Sequence, residues 1–96
     1  MMRREGERLV LSGDVTLANV GTLLEEGRRH VAEGAKIVDL GEVNEMDSAL
    51  LALLLAWVRE AAGGSGNRAL TFANAPESLR TLARLYGVDE LLALAR

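Results

Sequence analysis

The chain has 96 residues, 49% hydrophobic and 26% charged, with a net charge of −3, the make-up of one folded domain too small for two separate cores. The acidic balance leaves no basic field for nucleic acid or anionic lipid, whose binding draws on Lys and Arg meeting phosphates. The absence of cysteine excludes disulfides, thiolate metal sites and thiol nucleophiles.

Residues 1–8, Met-Met-Arg-Arg-Glu-Gly-Glu-Arg, are charged and lack the apolar stretch of a signal peptide, so the cytoplasm is the expected location. Leu9-Val10-Leu11 reads as a short strand closed by a turn at Ser12-Gly13-Asp14, and Val15-Thr16-Leu17 either extends it or leads into a helix. From about Leu17 or Ala18, the residues Val20, Leu23, Leu24 and Val31 fall mostly on one face of a helix, with Gly34 positioned to end it. Gly21 and Gly27 each weaken that helix by about 1 kcal/mol relative to Ala, so close packing on a sheet has to compensate. His30, the one histidine, has no second ligand at a suggestive spacing and reads as solvated.

Ile37-Val38-Asp39-Leu40 is apolar enough for a central strand, and Gly41 to Met46 reads as a loop. A second helix runs from Ser48 to Ala61 or Ala62. Its residues Ala49 to Val58 are ten apolar residues in succession, well short of the roughly 20 that a membrane span needs. A helix apolar on every side cannot be wholly buried in so short a chain, where roughly two-thirds of the unfolded surface is removed on folding, so part of it is expected to face a partner. Trp57 reads as core. Gly63-Gly64-Ser65-Gly66-Asn67 follows a helix, precedes a strand and lacks the Gly-Lys-Ser/Thr ending, so it is a connection rather than a phosphate loop. Ala69 to Phe72 is the next strand. Pro76 stands near the first position of a third helix whose stripe is Leu79, Leu82, Ala83 and Tyr86, with Arg80 and Arg84 outward and Gly87 ending it. Asp89 is placed to cap a last turn through Leu91 and Leu92. Strands alternating with helices imply right-handed crossovers and a small, mainly parallel sheet covered chiefly on one side.

Two readings stay open at the start of the second helix. Asp47 and Ser48 stand where a side-chain oxygen caps unpaired backbone N–H groups, which is worth about 1 kcal/mol. Alternatively, Ser48 is a signalling hydroxyl: a phosphate there would meet the positive end of the helix dipole but sit beside the Asp47 carboxylate. Arg80 and Arg84 read either as dipole complements near a helix C-terminus or as the rim of a partner surface. No pair of acidic residues is spaced for acid–base catalysis, so no catalytic residue, metal or cofactor is expected.

Ile37-Val38-Asp39-Leu40, Val43 and the run Met46 to Leu55 together resemble the core of STAS domains, found in sulfate transporters and anti-sigma factor antagonists. Leu9 to Asp14 is similar to that family's opening strand and turn. The likeness covers nearly the whole chain, residues 1–96 as one STAS-like α/β domain. Within the family it is greatest to the small STAS subunits of phospholipid-transport ABC systems, through Leu51 to Leu55, the strand entry Asn67 to Leu70, and Thr81-Leu82-Ala83-Arg84-Leu85-Tyr86. The resemblance implies a four- or five-stranded mixed sheet with helices mainly on one face, and a function exerted by binding. Anti-sigma antagonists read Asp-Ser-Ser/Thr-Gly, the second hydroxyl being the phosphoacceptor. Here that position matches Ala49 and the Gly matches Leu50, which puts regulated phosphorylation in doubt and leaves Ser48 as the one candidate. In the ABC-associated branch the residue after the Asp is a needed Thr, which Ser48 matches.

The expected role is therefore that of a non-enzymatic subunit bound to an ABC transporter ATPase, peripheral on the inner face of the membrane through that partner. Asp47, Ser48, Ala49, Leu50, Leu51 and Leu54, with Arg80 and Arg84 as rim, are the expected contacts. The alternatives are an anti-sigma factor antagonist and a homodimer in which the second helix buries its outer side against a copy of itself.

Overall fold

The computed structural model describes residues 1–63 and 69–92. Its elements are β1 (Met2–Glu5), β2 (Arg8–Val15), α1 (Val20–Ala32), β3 (Ile37–Met46), α2 (Ser48–Gly63), β4 (Thr71–Ala73) and α3 (Glu77–Leu85). The strands form one sheet in the order β1-β2-β3-β4, with β1 antiparallel to β2 and the other pairs parallel. This is the mixed sheet that the resemblance implies. One core contains Leu9, Leu11, Val38 and Leu40 from the sheet, Leu23 and Val31 from α1, Leu50, Leu53, Leu54 and Trp57 from α2, and Leu79 and Ala83 from α3, so all three helices cover the same face.

Several local expectations change. Residues 2–5 are an edge strand joined to β2 across Gly6-Glu7, with Glu5 opposite Arg8 and Gly6 at φ 64°. Ser12-Gly13-Asp14 is not a turn but part of β2, and Gly41 to Met46 is not a loop but the second half of β3. The two segments pair with each other, Ser12 with Glu42, Gly13 with Val43 and Val15 with Met46. Their polar composition follows from position, since this stretch of β3 is mostly exposed and gains its backbone hydrogen bonds from β2 rather than from burial. Between Val10/Ser12 and again between Gly13/Val15 the register slips, β3 gaining one residue each time, as in a β-bulge. At the first slip Gly41 lies so close to Asn74 that an added Cβ would stand 3.2 Å from the Asn74 Cβ. Helix α1 starts at Val20 rather than at Leu17 or Ala18, and Pro76 is the N-cap of α3 rather than its first residue. The last strand is Thr71–Ala73, shifted from 69–72. Residues 89–92 form a turn in which the Leu92 N–H donates to the Val88 carbonyl at 3.2 Å, and Leu92 is fully buried. The glycine-rich connection, from residue 64 to 67, and Leu94 lie outside the described residues.

The largest correction concerns α2. It lies between α1 and α3 on top of the sheet, so an all-round apolar helix is covered on three sides. Only Ala52 within the run Ala49–Val58 is exposed, while Leu55, Ala56 and Val58 are half-buried. What permits this is Gly27. A Cβ built there would overlap the Cζ2 and Cε2 atoms of Trp57, so α1 approaches α2 to a separation only glycine allows. Trp57 is 0% exposed, and its indole N–H donates to the Leu24 carbonyl at 3.2 Å. The compensation expected for Gly27 thus comes from the neighbouring helix, not from the sheet.

The face of the sheet away from the helices is closed by charge. Arg3, Val10 and Asp39 are register partners across β1, β2 and β3. Arg3 grips Glu42 with two parallel hydrogen bonds of 3.1 and 3.0 Å, and Arg8 holds Asp39 at 2.9 Å. Val10, between them, is only 2% exposed; the aliphatic stems of long cationic side chains can cover such a residue while their heads stay wet. Among the described residues two ion pairs cross strands, Arg3 with Glu42 and Arg8 with Asp39, while Arg28 pairs with Glu25 on α1 and with Glu60 on α2. His30 is half-buried, its carbonyl and ring nitrogen each 3.4 Å from the Arg4 guanidinium, rather than solvated.

Asp39 is the most connected of these carboxylates. Its Oδ1 accepts from the Asn74 amide at 3.0 Å and from the Gly41 N–H at 2.9 Å. Those two bonds, with Arg8 as a smaller contributor, hold its carboxyl below the ordinary 3.8.

Gly27→Ala should destabilise the fold by about 1–2 kcal/mol net, because overpacking against a buried indole outweighs the roughly 1 kcal/mol that Ala gains in a helix. A urea midpoint equal to or above wild type would contradict the contact. Asp39 is more acidic folded than unfolded, so its stabilisation is present above the unfolded value near 3.8 and is lost as pH falls from there through the folded value. Unfolding midpoints measured from pH 6 down to 3 should fall more steeply for wild type than for Asp39→Asn; parallel curves would remove Asp39 from the account.

Candidate functional site

The carboxyl ends of parallel β2 and β3 meet where Val15 pairs with Met46, and the residues that follow are tied together by side chains. Asp47 caps α2: its Oδ1 accepts from the Ala49 N–H at 2.8 Å, as an N-cap does. Its Oδ2 accepts from the Leu17 N–H at 3.2 Å, in the loop between β2 and α1. One carboxylate thus joins the start of α2 to a loop 30 residues earlier in the chain. The same loop is locked from within. Asn19 does not cap α1 with its side chain; its Oδ1 accepts from the Thr16 N–H at 3.0 Å and its amide donates to the Asp14 carbonyl at 2.8 Å. Asp14 in turn accepts from the Glu45 N–H at 3.3 Å. The start of α3 arrives at this end too, with the Ser78 hydroxyl 3.7 Å from the Met46 sulfur.

On this platform Asp47 and Ser48 are exposed. The Ser48 hydroxyl has no hydrogen-bond partner among the described residues, so the capping that both residues suggested is done by Asp47 alone. Ser48 instead presents its hydroxyl to solvent at the positive end of the α2 dipole.

The structure corrects the remainder of the expected contact set. Ala49 is 9% exposed, Leu50 0%, Leu51 3% and Leu54 0%; these side chains face the core and cannot form a partner patch on the folded chain. Arg80 is half-buried and Arg84 exposed on α3. With a rise of about 1.5 Å per residue, Arg84 stands roughly 9 Å along the axis from Ser78, so it is not gathered at the α2 N-terminus with Ser48. A residue the sequence did not single out is Leu17, 80% exposed and bonded through its backbone to Asp47. No sequence signal sets it apart: Leu17 continues the spacing of Val20, Leu24 and Val31, and it stands outside that stripe because α1 starts only at Val20. Among the described residues, no group of three or more His, Asp or Glu could hold a metal ion, and no helix is long and apolar enough to cross a membrane.

A four-stranded mixed sheet covered on one side by three helices, with a capped helix opening at the carboxyl end of its parallel strands, is the architecture of a STAS domain. The chain belongs to the MlaB STAS family: the family model described as "Mlab, STAS domain" matches residues 1–93. Among solved structures, it is similar to a chain of the Acinetobacter MlaFEDB complex in two ATP-bound conformations. In Vtrans1 the identity is 25%, the TM-score 0.77 and the coverage 94% of this chain and 95% of that one. In Vtrans2 the identity is 22%, the TM-score 0.78 and the coverage 94% of each. It is also similar in fold to the anti-sigma factor antagonist SpoIIAA in its unphosphorylated form, at 19% identity, TM-score 0.66 and coverage of 88% and 81%. No curated protein sequence matches the chain.

Asp47 and Ser48, adjacent in sequence, should separate cleanly in stability measurements. Asp47→Ala removes a cap and a loop tie and should cost about 1–2 kcal/mol, whereas Ser48→Ala, at an exposed and unbonded hydroxyl, should stay within about 0.5 kcal/mol of wild type. Equal losses in chemical denaturation would mean that Ser48 shares the capping.

Proposed function

We propose that the chain is a non-enzymatic accessory subunit that docks on the ATP-binding subunit of an Mla-type phospholipid-transport ABC complex and supports its assembly or ATP hydrolysis. The observation that carries this reading is the exposed, unbonded Ser48 hydroxyl on a helix start pinned by Asp47. A rigid polar group at a helix N-terminus, with the dipole behind it, offers a partner a hydrogen bond at little entropic cost. Membership of the MlaB STAS family and the likeness to a chain of the ATP-bound MlaFEDB complex support the choice of partner, since an ATP-bound complex contains a subunit that binds ATP. Through that partner the chain would sit peripherally on the inner face of the membrane, without inserting and without a cofactor of its own.

The rival reading, an anti-sigma factor antagonist that switches partners, shares the fold of SpoIIAA. Against it stands Ala49, which occupies the position where the resemblance puts the phosphoacceptor and has no hydroxyl to modify. Pairing of two copies along the outer side of α2 is disfavoured by burial, because that side leaves only Ala52 fully exposed within the apolar run.

Affinity purification of the full chain from its native host should recover an ABC ATP-binding subunit. Ser48→Arg, which places a long charged side chain on the proposed contact, should reduce that recovery at least tenfold while the variant remains folded. Recovery of a kinase-like anti-sigma factor in place of the ATPase would overturn the reading.

A further inference from the structure

We propose that Leu17 is a second anchor of the same docking surface and that Asp47 is the positioning residue that holds Leu17 and Ser48 in one rigid epitope; this rests on the docking function above. The partner it fits is an ATP-binding subunit with an apolar socket bordered by Lys or Arg.

The first ground is the combination of exposure and order at Leu17. Its side chain is 80% exposed, yet its backbone N–H is held by Asp47, and both flanking residues are tied through Thr16 and Asn19. The Ala18 N–H donates to the Thr16 hydroxyl at 3.3 Å, and the Asn19 and Val20 N–H groups both donate to the Thr16 carbonyl, at 3.1 and 3.0 Å. A leucine displayed on an already ordered loop surrenders little conformational entropy on binding and contributes the burial of its whole side chain. The second ground is charge. Asp14, Glu45, Asp47 and Glu77 are exposed around this end of the sheet, and none of them forms an ion pair among the described residues. The acids that do pair, Glu5, Glu7, Glu25, Asp39, Glu42 and Glu60, lie elsewhere; Glu26, Glu33, Asp89 and Glu90 are also without an ion pair among the described residues, but on other parts of the chain. An apolar knob and a free hydroxyl within an uncompensated acidic rim complement a basic-rimmed socket. The third ground is the use of Asp47. Its two oxygens each accept from the chain's own backbone, so its contribution to docking is to set the spacing of its neighbours.

The test is titration of the full chain against the purified ATP-binding subunit, with melting temperatures measured alongside. Leu17→Ser should weaken binding about tenfold without lowering the melting temperature, and Leu85→Ser, at an equally displayed leucine (75% exposed) on α3, should bind as wild type. Asp47→Asn still caps α2, since Asn caps as well as Asp, but turns an amide donor toward the Leu17 N–H. It should therefore lower the melting temperature less than Asp47→Ala does while binding falls several-fold, and raised salt should weaken wild-type binding. If Leu17→Ser binds as wild type, or if Leu85→Ser loses as much, the anchor is overturned while the docking reading stands. Unchanged binding by Asp47→Asn would remove its positioning role. Failure of the wild-type chain to bind the subunit would overturn both readings together.

Discussion

The structure depends on how closely α1 can approach α2. Trp57 brings a large indole to the side of α2, and Gly27 removes the Cβ that would keep α1 away. The indole N–H is satisfied by the Leu24 carbonyl one turn earlier, so a buried polar group costs little. The apolar run of α2 can then be covered from the sheet below, from α1 on one side and from α3 on the other. Without that approach, a helix apolar on every side would expose one flank to water in a chain this small.

This contact also determines where the exposed residues Ser48 and Leu17 stand. Helix α1 is held to α2 through Gly27 on Trp57 and the adjacent Arg28–Glu60 pair, and again through the bond from Leu17 to Asp47 at its entry loop. Two attachments separated along a rigid helix fix its direction as well as its distance. The loop that carries Leu17 is consequently brought beside the start of α2, and the Ser48 hydroxyl and the Leu17 side chain share one end of the molecule. Packing in the helix layer and presentation of the surface are therefore consequences of one arrangement, and a change at Gly27 should be felt at both.

The alternation of elements, the parallel core, the capped start of α2 and the core role of Trp57 could be read from periodicity, turn residues and the STAS resemblance. What escaped the sequence shares a physical origin in strand pairing that leaves little trace in apolar patterning. Residues 2–5 become a strand through pairing with β2, and the polar second half of β3 is extended because β2 supplies its hydrogen bonds. Local patterning signals burial, and these segments have little. The apolar run of α2 was over-read for the converse reason: its composition is that of an interface, but two neighbouring helices form that interface within the chain. Leu50, Leu51 and Leu54 belong to the core for this reason, while Leu17, unremarkable in sequence, is left exposed.

The end of the molecule bearing Ser48 and Leu17 is the face proposed to meet an ATP-binding subunit. Hydrogen–deuterium exchange on the full chain, alone and bound to that subunit, tests it most directly. Docking at this end should slow exchange at the backbone amides of residues 16–19 and 47–50, with β1 and the outer face of the sheet unchanged. Protection confined to β1 and that charged outer face, with residues 16–19 and 47–50 exchanging as in the free chain, would contradict it.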